Sequence, residues 1–282
     1  MGVKQRSGKA MRQSVWINGI SNDTIDIRDR GLAYGDGVFE TIKVHNGRAQ
    51  MLDQHFSRMR AGAARLGFAA EAVDQFQTEL SAVSLPERGV LKLTLTRGVG
   101  GRGYSYATCT DSTRIIMLAP MPEYAGQAEN GISVRLCETR LGINPTLAGI
   151  KHLNRLEQVL ARNEWNDASI HEGIVCDAEG YLAEGTMSNL FWVIAGIIYT
   201  PDLAGCGVSG IIRDYLLKRF ESVGYQVVQG RFCPDVLDAA DEIFVCNSLI
   251  DVWPVKRFAG TDYQIGSVAR EAQMMLQQEY NA

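Results

Sequence analysis

Apolar and polar residues alternate along much of the first half of the chain. Leu91, Leu93 and Leu95 are separated by Lys92, Thr94 and Thr96, a period of two that predicts a strand with one buried face. Residues 38–44 and 49–52 flank His45-Asn46-Gly47-Arg48, and Asn-Gly tolerates the positive φ angles of a tight turn, so a β-hairpin is expected. Between these strands the spacing becomes helical: Phe56, Met59, Ala63 and Leu66 form a stripe, with Asp53 placed to cap its start and Gly67 to end it. In the second half the pattern predicts a strand over 132–137 and a helix over 153–165 with Leu153, Leu156, Val159 and Leu160 on one apolar face. It further predicts a strand pair over 189–199 turning near Gly196, a helix over 210–220 and a buried strand over 242–246. A mixed α+β protein follows. The stretch 119–127, APMPEYAGQ, holds two prolines and a glycine and is the predicted linker between a smaller domain (11–118) and a larger one (128–282). Residues 1–10 read as a leader or loose tail.

Composition narrows the function more than the fold. With 282 residues, 46% of them hydrophobic and 21% charged, the chain has ample material for a core. Its net charge of −4 offers no basic excess for a phosphate backbone, so nucleic acid is not expected as a partner and small molecules are. Six scattered cysteines form no C-x-x-C pair and the four histidines do not flank them at zinc spacing, which reads as reduced thiols in a cytoplasmic protein without a metal site. No apolar run reaches the roughly 18 to 20 residues of a membrane span, so no membrane association is expected.

Gly98-Val99-Gly100-Gly101-Arg102-Gly103 fits G-x-G-x-x-G, but Tyr104-Ser105-Tyr106-Ala107 follows it where a dinucleotide site needs a helix. Past the leader there are five lysines. Lys43, Lys92, Lys218 and Lys256 fall at positions that solvated faces explain. Lys151 follows Gly149-Ile150 and precedes the amphipathic stretch; on the bare sequence it is either an ordinary surface lysine or, if buried, an amine with a lowered pKa that serves as nucleophile and base.

Residues 149–162, GIKHLNRLEQVLAR, together with 184–191, EGTMSNLF, resemble the paired signatures of the fold-type IV pyridoxal-phosphate enzymes, the group of branched-chain and D-amino-acid aminotransferases and aminodeoxychorismate lyases. Residues 29–40, DRGLAYGDGVFE, are similar to the N-terminal signature of the same group. The resemblance implies a two-domain fold with pyridoxal 5′-phosphate between the domains. It implies Lys151 as the residue that bonds the cofactor's aldehyde carbon and Glu184 as the partner of its ring nitrogen, with Asn189 beside it. It implies Arg58, Ile211, Ile212 and Ser248 as phosphate ligands, of which the Val208-Ser209-Gly210 helix start is independently suited to an anion. A homodimer with a site partly closed by the neighbouring subunit is also implied.

Within the group, residues 97–104, 141–156 and 245–249 resemble the aminodeoxychorismate lyases. D-amino-acid aminotransferases carry tyrosine where Phe39 stands and branched-chain enzymes where Leu156 stands, whereas Glu40 is aminotransferase-like. The expected reaction is the conversion of 4-amino-4-deoxychorismate to 4-aminobenzoate and pyruvate, with an aminotransferase of D- or branched-chain amino acids as the alternative. Two substrate carboxylates call for cations, and Arg102, then Arg97 and Tyr104, are the candidates, with Phe39 lining the site; the alternative for that glycine-rich segment is a flexible surface loop.

Overall fold

The computed structural model describes residues 14–281; the leader expected over 1–10 lies outside them. The first half forms an antiparallel sheet from β1 (Ser14–Ile17), β2 (Ile20–Ser21), β3 (Gly37–His45), β4 (Arg48–Ala49), β5 (Arg88–Thr96) and β6 (Thr113–Ala119), in the order β2-β1-β6-β5-β3-β4. Helices α1 (Arg30–Tyr34), α2 (Leu52–Arg65) and α3 (Glu71–Ser81) accompany it. Leu91, Leu93 and Leu95 point from β5 into one core with Ile42, Phe56, Met59 and Phe76, as the period-two and helical stripes require. Asn46 and Gly47 both take positive φ at the hairpin turn, but the return strand ends at Ala49 because α2 begins at Leu52. Asp53 sits in the first turn of α2, and Met51 occupies the capping position without a side-chain bond.

After α4 (Gln127–Asn130) the second half builds a larger mixed sheet. Its strands are β7 (Ile132–Leu141), β8 (Ile170–Asp177), β9 (Leu182–Gly185), β10 (Asn189–Ile194), β11 (Ile197–Pro201), β12 (Val227–Gly230), β13 (Glu242–Asn247), β14 (Asp251–Phe258) and β15 (Thr261–Asp262). The order is β12-β11-β10-β13-β14-β7-β8-β9, with β15 on β14. Helices α5 (Leu156–Arg162), α6 (Ile211–Ser222) and α7 (Ser267–Asn281) complete it. Leu190, Trp192, Ile243 and Val245 enter one core; the intervening Phe191, Val193, Phe244 and Cys246 enter another against α6 and α7. A sheet buried on both faces reads as a continuous apolar run, which is why 242–246 showed no alternation.

Two further expectations fail. Helix α5 is shorter than 153–165, and its apolar face is outward: Leu156, Val159 and Leu160 are 69%, 52% and 56% exposed. The reason is upstream, where residues 151–153 remain extended and bond to the open edge of β3 through Phe39 N–H to Lys151 O (3.0 Å) and Leu153 N–H to Gly37 O (3.0 Å). Lys43, expected on a solvated face, instead pairs with Asp251 at the start of β14 and lies over the Tyr280 ring.

The same segment is held from its other end. Gly149, at φ +78°, donates to Gly207 O (2.9 Å) and accepts from Ser209 N–H (3.2 Å), while Ile150 inserts into the core of the first half. Gly62 on α2 permits this, since a Cβ there would lie 3.0 Å from Ile150 Cγ2. Ile150→Ala should cost about 2 to 5 kcal/mol of unfolding free energy, as truncations of buried aliphatics do. Urea denaturation checks it, and a change under about 0.5 kcal/mol, the range of a neutral surface substitution, would count against the packing described.

Candidate active site

A cavity of about 450 Å³ opens between the two halves where the 149–153 segment crosses. Lys151 reaches it from that segment, with its Nζ 4.7 Å from the centre of the Phe39 ring on β3. Removal of the amine from water, reinforced by the Arg58 guanidinium, lowers its pKa to about 8. About a tenth of Lys151 is therefore neutral and nucleophilic at pH 7, against a negligible fraction for an ordinary lysine.

Glu184 enters the wall from the end of β9, almost fully buried, and accepts Val208 N–H at 2.8 Å. Burial raises its pKa, opposed by that N–H and by Arg155 and Lys151. Asn189, first residue of β10, donates from Nδ2 to Val208 O (2.9 Å) and so fixes the strand leading into α6. A Cβ at Gly210 would stand 1.9 Å from Asn189 Oδ1, which excludes any side chain there. Ile211 and Ile212 open α6 with no side-chain cap, so their N–H groups keep free donor capacity. Ile211 lines the cavity, whereas the Ile212 side chain is buried in the core and only its backbone is on offer.

Arg58 faces this helix start from α2. It grips Glu40 with Nε and Nη2 and donates Nη1 to Ser209 O at 2.9 Å. His55 adds a 2.6 Å contact between Nδ1 and Glu40 Oε2. Burial pushes Glu40 up, but Arg58 and His55 outweigh it and hold the carboxyl at about 2. A folded value below the ordinary 4.5 means this clamp favours the fold above that pH and loses its contribution as pH falls toward 2. Ser248 joins the cavity from the turn between β13 and β14.

The structure thus brings Phe39, Arg58, Lys151, Glu184, Asn189, Ile211 and Ser248 around one space. It does not bring Arg97 there. That guanidinium bonds Leu66 O (2.6 Å), Gly67 O (2.9 Å) and Asp36 (3.1 Å) and lies between the rings of Phe68 and Tyr106, so it is spent on holding its own loop. Arg102 and Tyr104 are exposed and outside the cavity wall. Buried Arg30 holds the carbonyls of Gly103 (2.8 Å) and Tyr104 (3.0 Å), so the loop projects as an ordered feature. Leu156 also lies outside; its neighbour Arg155 lines the cavity, with Nε and Nη2 bonded to the carbonyls of His152 and Ile150. Sequence reasoning passed over Arg155, His55 and Asn247. The helical spacing after Lys151 hid Arg155, because it assumed a helix from Leu153 whereas α5 begins only at Leu156.

Residues 37–258 match the family described as Amino-transferase class IV. The chain belongs to that family. It is 37% identical over 268 residues to an aminodeoxychorismate lyase of Vibrio harveyi, spanning 92% of this chain and 97% of the relative. A D-alanine aminotransferase of Bacillus licheniformis is 30% identical over 245 residues, 85% of each chain. Among solved structures, 4-amino-4-deoxychorismate lyase from Pseudomonas aeruginosa superposes with a TM-score of 0.88 at 38% identity, covering 95% of this chain and all of that one. The fold is the fold-type IV arrangement, and class IV aminotransferases depend on pyridoxal 5′-phosphate. The residues present suit that group: a partly neutral lysine for an aldehyde, a buried carboxylate for a ring nitrogen, and an arginine opposite a helix start for a phosphate. Gln158 Oε1, buried at the cavity wall, has no hydrogen-bond partner within the protein.

In cofactor-free protein, the rate of pyridoxal-phosphate attachment followed by absorbance should rise with pH to a midpoint near 8 and then level, because the neutral amine attacks. Glu40→Gln should move the midpoint lower, since Glu40 favours the charged lysine. A midpoint near the ordinary 10.5 would contradict the site's electrostatics.

Proposed function

We propose that this chain is a pyridoxal-phosphate-dependent lyase that converts 4-amino-4-deoxychorismate to 4-aminobenzoate and pyruvate. The observation that carries the reading is near-full-length identity of 37% and 38% to two lyases, joined to a partly neutral Lys151 in a cavity lined by Glu184. Bound pyridoxal phosphate supplies an electron sink conjugated to the carbon that bears the substrate amine.

Lys151 is the residue that would hold the cofactor's aldehyde carbon and be freed when the substrate amine binds. Released, its neutral amine removes the proton from the amine-bearing ring carbon and becomes an ammonium. The electron pair left behind expels the ether oxygen on the adjacent carbon, and the ring becomes aromatic. The Lys151 ammonium then returns its proton to the methylene carbon of departing enolpyruvate, which leaves as pyruvate, so the lysine is again a neutral amine, free to resume its place on the cofactor as 4-aminobenzoate departs. Glu184 holds the proton on the cofactor's ring nitrogen, a role that suits a carboxylate kept out of water. Arg58, the N–H groups of Ile211 and Ile212, and the Ser248 hydroxyl hold the phosphate, with Glu40 keeping Arg58 oriented. Asn189 keeps the helix start in place.

The chain acts as a homodimer in the cytoplasm. The outward apolar face of α5 supports the dimer, and Val159 belongs both to that face and to the cavity wall. Arg102 and Tyr104, presented away from their own cavity on an ordered loop, reach the neighbouring protomer's site and meet a substrate carboxylate. The cytoplasmic reading rests on six free cysteines, four of them buried.

Freshly made aminodeoxychorismate should release pyruvate with wild type and not detectably with Lys151→Ala. Rapid interconversion of the cofactor's aldehyde and amine forms by an amino donor and a 2-oxo acid, without pyruvate release, would instead mark an aminotransferase. Lys151→Ala and Arg102→Ala proteins, each inactive alone, should regain roughly a quarter of wild-type activity when refolded together, because half the dimers are mixed and each carries one intact site. No recovery would remove Arg102 from the neighbour's site.

A further inference from the structure

Glu172, on β8, has no part in the chemistry above and does not line the cavity, yet its carboxylate is 1% exposed. It accepts hydrogen bonds from three backbone N–H groups, those of Gly173 (2.8 Å), Thr186 (3.1 Å) and Met187 (3.2 Å). Two hydroxyls add to these, Thr186 Oγ1 at 2.5 Å and Ser188 Oγ at 2.7 Å. Four of the five donors come from the turn joining β9 to β10, which leaves Glu184 and walls the cavity with Thr186, Met187 and Ser188. Gly185 makes room: a Cβ there would lie 2.9 Å from Glu172 Oε2 and 2.3 Å from Ser188 Oγ.

The arrangement continues past this turn. Met187 O accepts Asn247 Nδ2 at 2.9 Å, and Asn247 Oδ1 accepts Leu249 N–H (2.8 Å) and Ile250 N–H (3.0 Å). Those two amides shape the turn that carries Ser248. An unbroken series of hydrogen bonds therefore runs from a buried carboxylate to two separate parts of the cavity wall. The head of the series must offer acceptors, because three of the five groups facing it are backbone N–H, which can only donate, while the two hydroxyls can turn to suit. Glutamine keeps one acceptor oxygen but, whichever way it turned, would set its NH2 against at least one backbone N–H.

We propose that Glu172 is a positioning residue that moulds the 186–188 turn and, through Met187 and Asn247, the Ser248 turn, so that both walls of the ligand cavity keep one register. The proposal rests on the reading above only in taking this cavity as the place where cofactor and substrate bind.

Hydrogen exchange on the cofactor-free protein tests it without reference to activity. Glu172→Gln should speed exchange at 186–187 and also at 249–250 by about tenfold or more, with β5 unaffected. It should weaken pyridoxal-phosphate binding, followed by fluorescence titration, by roughly tenfold, as loss of supporting partners behind a ligand site does. Asn247→Asp keeps the acceptor for Leu249 and Ile250 and replaces the donor to Met187 O by a carboxylate oxygen, which breaks the link between the two turns. In that background Glu172→Gln should no longer alter exchange at 249–250. Ser188→Ala, which deletes one donor, should give the same pattern at smaller amplitude and serves if Glu172→Gln fails to fold. Changes confined to 186–187, with 249–250 and cofactor affinity as in wild type, would overturn the proposal. If wild type releases no pyruvate while the exchange pattern is as expected, the lyase reading fails and the positioning role stands.

Discussion

The backbone of residues 149–153 is hydrogen-bonded toward both halves, to the first residues of β3 at one end and to the 207–209 segment at the other. Everything about the site depends on that crossing. It seats Ile150 in the first core and leaves Lys151 facing the cavity between the halves. It also delays the start of α5, which keeps Arg155 in the wall and turns the apolar side of the helix outward. The same crossing makes the catalytic amine sensitive to both halves, since a shift of either would move the backbone that carries it.

Within the cavity, burial and charge oppose one another, and the balance differs from group to group. For Lys151 desolvation and the Arg58 cation act together, so the amine loses its proton easily. For Glu40 the burial cost is outweighed by a cation gripping both carboxylate oxygens and by His55. Glu184 has weaker compensation and is raised. Two carboxylates of similar burial are thereby driven in opposite directions, one locked as an anion that orients Arg58, the other able to share a proton with a ligand nitrogen.

Periodicity made β5 and the core face of α2 legible in advance, because those elements bury one face at the spacing their own backbone imposes, and continuous apolar runs did the same for β10 and β13, which are buried on both faces. It misread α5, where the deciding hydrogen bonds reach back to Gly37 and Phe39, more than a hundred residues away in the chain. The site residues that sequence motifs could name are those whose role is local: a lysine after Gly-Ile, an acid at a strand end, a helix start rich in small residues. Arg97 was misjudged for the opposite reason. Its partners, Asp36 and the carbonyls at 66–67, are far off in sequence, so a glycine-rich stretch with arginines gave no sign that one of them was already engaged. Glu172 was silent for the same cause, since its donors belong to a turn that only the fold brings to it.

The central claim is that one lysine, placed by the crossing segment, carries the cofactor. Borohydride reduction of the protein loaded with pyridoxal phosphate, followed by peptide mapping, measures this directly. A reduced pyridoxyl group on the peptide containing Lys151, and on no other lysine peptide, is the expected result. Label on Lys43 or Lys92, or spread over surface lysines with Lys151 unmodified, would contradict it.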